Sequence, residues 1–213
     1  MKILYVSQYF PPEMGAPAAR AAELSKHWSR MGHEVTVLTG FPNHPTGVVP
    51  REWRARLRRL HYTETVDGVR VVRTWLWPLP NRKAHERIRN YTSFCISAAV
   101  CGLPLQKPDV LIATSPQLLC ALAGWFLAWR KRVPFVFEVR DLWPESIVAV
   151  GVLKEGAVIR LLEKLEASLY VSAARIVTVS EPMRVRDVCA KRRLDCQPDA
   201  SLVRVCGAWS HCL

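Results

Sequence analysis

Residues 2–39, KILYVSQYFPPEMGAPAARAAELSKHWSRMGHEVTVLT, spell out a strand, a loop, a helix and a second strand in that order. Ile3, Leu4, Tyr5 and Val6 form a short unbroken apolar run, the pattern of a strand covered on both faces in a parallel sheet. A loop with two prolines and Gly15 follows. From Ala16 to Met31, the residues Ala18, Ala21, Ala22, Leu24, Ser25 and Trp28 recur at helical spacing, and Gly32 supplies the stop. Residues 35–38, VTVL, make the second strand. Such a unit predicts a Rossmann-like layer whose ligands sit at the carboxyl ends of the strands, beside the first βα turn.

Outward from this unit the alternation continues. A long loop after the second strand is rich in Pro and Gly early, and Arg51, Arg54, Arg56, Arg58 and Arg59 crowd its end around Trp53 and Leu57. That segment is either a solvated turn of helix or a cationic face with apolar anchors, suited to an anionic membrane. Asp67-Gly68 between alternating segments predicts a β-hairpin. Residues 81–105 start basic, with Arg82, Lys83, Arg87 and Arg89, and continue apolar through Tyr91, Phe94, Ile96 and Val100. They describe an amphipathic helix packed on the sheet or a monotopic anchor.

A strand at 109–113 precedes a helix expected from Ser115 to Trp129, with Ser115 as N-cap and Pro116 at the first position. Arg130, Lys131 and Arg132 end it near the negative end of the helix dipole. A strand at 134–138, a helix at 155–170 and a strand at 175–179 complete the pattern. The expected class is α/β: a Rossmann-like parallel sheet with flanking helices and one inserted β-hairpin.

Composition narrows the function. With 213 residues, half of them apolar, the chain can bury a real core. The residues before Ser7 and Gln8 are too few and too weakly charged for a signal peptide, and no apolar run reaches the roughly 18–20 residues that span a bilayer. A cytoplasmic protein, resting on the inner face of the cell membrane, is expected. Cys95, Cys101 and Cys120 lie in apolar helical segments as small core residues, while Cys189, Cys196, Cys206 and Cys212 lack paired zinc spacing, so no metal is expected. The net charge of +12 comes without a helix-turn-helix, RNA-recognition or zinc-finger pattern. No nucleic-acid partner is expected; diphosphate ligands and anionic lipid headgroups fit the placement of charge better.

Two places on the expected carboxyl edge carry chemistry. At Gly15, followed by Ala16, a missing side chain lets backbone N–H groups approach a phosphate at a helix start. Glu138, Arg140, Asp141 and Glu145 cluster just past the end of a strand, with Trp143-Pro144 between them. Arg140 either binds a phosphate or pairs with Glu138 or Asp141. Trp143 packs a sugar face or the loop itself, and Glu145 is placed to cap a following helix. His44 and His61 have no visible partner.

KILYVSQYFPPEMGAPAAR, followed by the GHEVTVLT strand, closely resembles the amino-terminal half of family 4 glycosyltransferases, in the branch that builds bacterial surface polysaccharide on a lipid carrier. EVRDLWPES (138–146), LLEKLEASLY (161–170) and RIVTVSE (175–181) match further, in the same order. The resemblance implies half of a GT-B fold and a retaining, metal-independent hexosyltransferase that needs no cofactor. Its substrates would be a nucleoside-diphosphate sugar and a lipid-linked saccharide acceptor. On that resemblance Asp141 is carried over as catalytic, orienting or deprotonating the acceptor hydroxyl. Glu138, Arg140 and Trp143 would bind acceptor, and Gly15 and Ala16 would face the donor diphosphate. Many members have two adjacent glycines where this chain has Gly15-Ala16.

The resemblance covers residues 1–182, the expected acceptor-side domain. Residues 183–213 do not follow the family and lack sustained periodicity, so a poorly ordered tail is expected. It reads as out-of-frame translation or as a partner-binding end of a short subunit. Without the second domain, donor binding is expected to be weak and activity of the chain alone doubtful. A non-catalytic docking subunit that needs a donor-binding partner in trans is the alternative.

Overall fold

Past Lys2, every residue of the first strand is at most 2% exposed, as an interior strand requires. The computed structural model describes residues 1–80, 82–115, 117–141, 156–179 and 203–205. In chain order the strands are β1 (Lys2–Val6), β2 (Glu34–Gly40), β3 (His61–Val66), β4 (Val69–Thr74), β5 (Val110–Thr114), β6 (Phe135–Val139), β7 (Arg175–Thr178) and β8 (Val203–Val205). The helices are α1 (Ala16–Arg30), the short α2 (Arg51–Arg54), α3 (Ala84–Gly102), α4 (Leu118–Lys131) and α5 (Ala157–Ser172). One sheet runs β3-β4-β2-β1-β5-β6-β7-β8, parallel except for the β3–β4 pair.

Alternate residues of the strands feed two cores. Leu4, Val6, Leu111, Ala113, Phe135 and Phe137 pack with Phe94 and Ala98 of α3 and Leu127 of α4. Ile3, Tyr5, Val37 and Ile112 pack on the other face with Ala21, Leu24 and Trp28 of α1. α4 lies so close to β5 that a Cβ at Gly124 would stand 2.4 Å from that of Ala113. The hairpin forms as expected, with Asp67 at φ 50° and Gly68 at φ 81°, the geometry of a two-residue I′ turn.

Three expectations need correction. α4 begins at Leu118, with Gln117 at the cap position and no side-chain cap bond. The Ser115 hydroxyl instead accepts the N–H of Arg140 at 2.8 Å, so it is spent on the end of β6. Trp53 is no membrane anchor: it is buried with Phe41 and Val49, beneath the guanidinium groups of Arg56 and Arg73. The tail is not wholly without structure, since Val203–Val205 extends the sheet in parallel register with β7.

α3 packs on the sheet as an amphipathic helix and leaves some apolar side chains uncovered. Phe94 and Ala98 face the core, whereas Ile88, Ile96, Val100 and Leu103 are 41–61% exposed. At its end, Lys131 donates to the carbonyls of Leu103 and Leu105, supplying partners that a helix terminus otherwise lacks. Among the described residues, no helix is long and apolar enough to cross a membrane.

Candidate functional site

Because β1, β2, β5 and β6 are parallel, their carboxyl ends share one edge of the sheet, and α1 begins there. Gly15 (φ 137°, ψ 158°) turns the chain into α1 in a conformation that side chains disfavour. No side chain caps that helix, and Ala16 is exposed. The leading N–H groups of α1 therefore form a positive helix end without a capping oxygen.

The loop before Gly15 is held by two residues that sequence reasoning missed. Glu13 is 8% exposed, and its Oε1 accepts the N–H groups of Asn43 and His44, both at 2.9 Å. Its Oε2 receives only a long bond from the Phe10 N–H, at 3.4 Å, and is free to carry a proton. Burial pushes this carboxyl up to about 7, against the backbone donors and the nearby Arg73 charge. Arg73, 1% exposed, donates from Nε to Glu64 at 2.6 Å and from Nη2 to the Pro11 carbonyl. The only signal for either residue was a charge inside an otherwise apolar stretch, which by itself does not name a partner.

At the end of β6 the expected cluster separates. Glu138, expected to bind acceptor, is 2% exposed and spends both oxygens internally. Oε2 accepts from the Tyr5 hydroxyl at 2.7 Å and Oε1 from Arg20 Nε at 2.6 Å. It clamps β6 to β1 and α1, and burial, then the Glu138 charge, raises the Tyr5 hydroxyl well above its ordinary range. Arg20 thus takes the carboxylate that Arg140 was a candidate to pair with. Arg140 has no ion pair among the described residues, and its Nη1 is buried without a hydrogen-bond partner.

Asp141 is exposed, and its N–H lies 3.4 Å from the same Ser115 oxygen that holds Arg140. Ser115 N–H in turn donates to the Glu138 carbonyl at 2.8 Å, so Ser115 holds the backbone of this strand end at Glu138, Arg140 and Asp141. Trp143 and Glu145 lie outside the described residues. The His44 ring sits 4.9 Å from that of Tyr9, and burial lowers its pKa. Among the described residues, no three His, Cys, Asp or Glu side chains gather as a metal site.

A mostly parallel sheet that gathers its βα loops on one carboxyl edge, where open α/β sheets place their sites, defines a Rossmann-like domain. Its architecture is that of one half of a GT-B glycosyltransferase. The model of the glycosyl transferase 4-like domain matches residues 15–186, and the chain belongs to that family. It is 27% identical over 195 residues to WcaI of Escherichia coli K12, named as a colanic acid biosynthesis glycosyl transferase, covering 86% of this chain and 45% of that protein. Over 94 residues it is 31% identical to the glycosyltransferase WbjE of Pseudomonas aeruginosa, covering 44% of this chain and 23% of that one.

Two solved structures share the fold. The catalytic domain of starch synthase IV from Arabidopsis thaliana, bound to ADP and acarbose, superposes with a TM-score of 0.57 at 12% identity, over 84% of this chain and 45% of that one. Sucrose-phosphate synthase from Thermosynechococcus elongatus gives 0.53 at 14%, over 86% and 43%. The chain thus spans less than half the length of each of these proteins.

Proposed function

We propose that this chain is the acceptor-side half of a glycosyltransferase of surface-polysaccharide synthesis, moving a sugar from a nucleoside-diphosphate sugar to a lipid-linked saccharide. The observation that carries this reading is Arg140, whose backbone N–H is held by Ser115 at the carboxyl edge and whose guanidinium is paired with no carboxylate among the described residues. An unpaired guanidinium matches the diphosphate of a lipid carrier, to which it can donate two bonds in parallel. Asp141, exposed beside it, is placed to orient or deprotonate the acceptor hydroxyl. The uncapped start of α1 at Gly15 and Ala16 would face the donor diphosphate, weakly without a second half. Glu138 acts by positioning, and Trp143 remains the candidate for packing a sugar face.

The acceptor's lipid requires a membrane surface. Ile88, Ile96, Val100 and Leu103 offer an exposed apolar stripe on α3, and Arg82, Lys83, Arg87 and Arg89 surround its start. That combination fits a helix lying in the interface of an anionic bilayer, on its cytoplasmic side. The name of the Escherichia coli relative supports a role in polysaccharide synthesis.

The test is transfer of labelled sugar from a panel of nucleoside-diphosphate sugars to a polyprenyl-diphosphate saccharide, with the chain alone and with a donor-binding half supplied in trans. Transfer that falls by about 10²–10⁴ in Asp141→Asn supports the catalytic role. Transfer unchanged by Asp141→Asn removes that role. If acceptor binds but no combination transfers sugar, the chain is a docking subunit.

A further inference from the structure

The first two βα loops hold polar groups that the acceptor-diphosphate reading does not use. Asn43, just past β2, is 2% exposed. Its backbone is fully committed: the N–H donates to Glu13, and the carbonyl accepts from Gly47 at 2.6 Å. Its side chain is the opposite, with both Oδ1 and Nδ2 buried and without a partner. Gln8, at the end of β1 and also 2% exposed, donates from Nε2 to Asn90 at 2.6 Å, yet its Oε1 is unpartnered. Buried polar groups are nearly always satisfied, and each one left open costs about 1–3 kcal/mol. Three open polar atoms at neighbouring strand ends, both of Asn43 and one of Gln8, therefore call for a hydrogen-bonding occupant.

The surroundings indicate which ligand. Tyr9 and His44 lie ring to ring beside these residues, and His44 is exposed. The side chains of Tyr91 and Gln117 lie near the Tyr9 hydroxyl. Burial favours the neutral form of both Glu13 and His44. The nearby cation, Arg73, donates to Glu64 and to the Pro11 carbonyl, and the amides, hydroxyls, imidazole and aromatic face that remain suit a neutral polyol better than an anion. Arg140 lies three strand spacings away, about 14 Å across the sheet.

We infer that Asn43, backed by Gln8, forms a subsite for a hydroxyl of the acceptor saccharide, separate from the diphosphate contact at Arg140. This rests on the acceptor-side reading and deepens it: Arg140 holds the charged carrier, and Asn43 reads the sugar. A site built to hydrogen-bond a hydroxyl rejects an analogue that lacks it, because its own buried groups are then left open.

The experiment is an NMR titration of the isotope-labelled full chain. It follows the Asn43 side-chain amide, assigned by its loss in Asn43→Ser. The probes are glucose, galactose, fucose, N-acetylglucosamine, their methyl glycosides and, separately, inorganic diphosphate. At least one sugar is expected to shift the Asn43 amide saturably, and the same titration followed at the backbone amides of Gln8 and His44 is expected to weaken about tenfold in Asn43→Ser. Diphosphate is expected to perturb Arg140 and leave Asn43 unmoved. If no sugar moves the Asn43 amide, or the amide shows a persistent contact to one long-lived water that sugars do not displace, the subsite is refuted. Diphosphate binding at Arg140 would survive that result; its loss would instead overturn the acceptor-carrier reading.

Discussion

Glu138 ties three elements together, its carboxylate accepting from the Tyr5 hydroxyl at 2.7 Å and from Arg20 Nε at 2.6 Å. A carboxylate at the end of an apolar strand was visible in the sequence, as were Arg140 and Asp141. Which of them faces outward depends on Tyr5 and Arg20, which are 133 and 118 positions away and reach Glu138 only once β1, β6 and α1 have packed. Removing one partner of a buried pair leaves an uncompensated charge. Arg20→Met is therefore expected to lower unfolding stability by about 2–4 kcal/mol, and Tyr5→Phe by about 1–2, in urea denaturation at neutral pH. Glu13 carries a pH signature. Its folded value of about 7 lies above its ordinary 4.5, so between them the folded chain holds a proton that the unfolded chain has released. That contribution is full below about 4.5 and is lost as pH rises through about 7, a fall of about 3 kcal/mol. Glu13→Gln should flatten the fall in a pH series of denaturation curves. An equal slope in both proteins would mean that the carboxyl is ionised throughout.

At the scale of elements, the sequence was most legible where period and turn chemistry agree. β1, β2 and the Asp67-Gly68 hairpin needed nothing beyond their own residues. The start of α4 was misplaced because Ser115 is a good cap in isolation, but the arriving end of β6 competes for its hydroxyl. Trp53 was misread for a related reason: Phe41, Tyr62 and Arg73 enclose it from three other segments. Close approach of α4 to β5 makes a prediction that helix propensity alone would reverse. Gly124→Ala should destabilise by about 1–3 kcal/mol despite the better helix former, because the new methyl meets Ala113. α3 is the other testable element. Ile96→Asp together with Val100→Asp should leave the melting transition nearly unchanged, since both side chains are more than half exposed, and should abolish flotation with anionic vesicles. Flotation that persists would move the membrane contact elsewhere.

For the whole molecule, the parallel sheet gathers βα loops from distant parts of the chain onto one edge, and the same edge carries the uncapped helix start, Arg140 and Asp141. Family and fold were readable from the order of motifs, and both are upheld by the match over residues 15–186 and by the GT-B neighbours. Which polar side chains at the edge are committed to internal contacts was not readable, because those contacts run across the sheet. The most direct measurement is equilibrium binding of a short-chain polyprenyl-diphosphate saccharide to the full chain, compared with nucleoside-diphosphate sugars and repeated with Arg140→Ala. An acceptor-side half should bind the lipid-linked saccharide saturably, more tightly than any nucleotide sugar, and should lose about tenfold or more in Arg140→Ala. Preference for a nucleotide sugar, or binding indifferent to Arg140→Ala, would contradict the account.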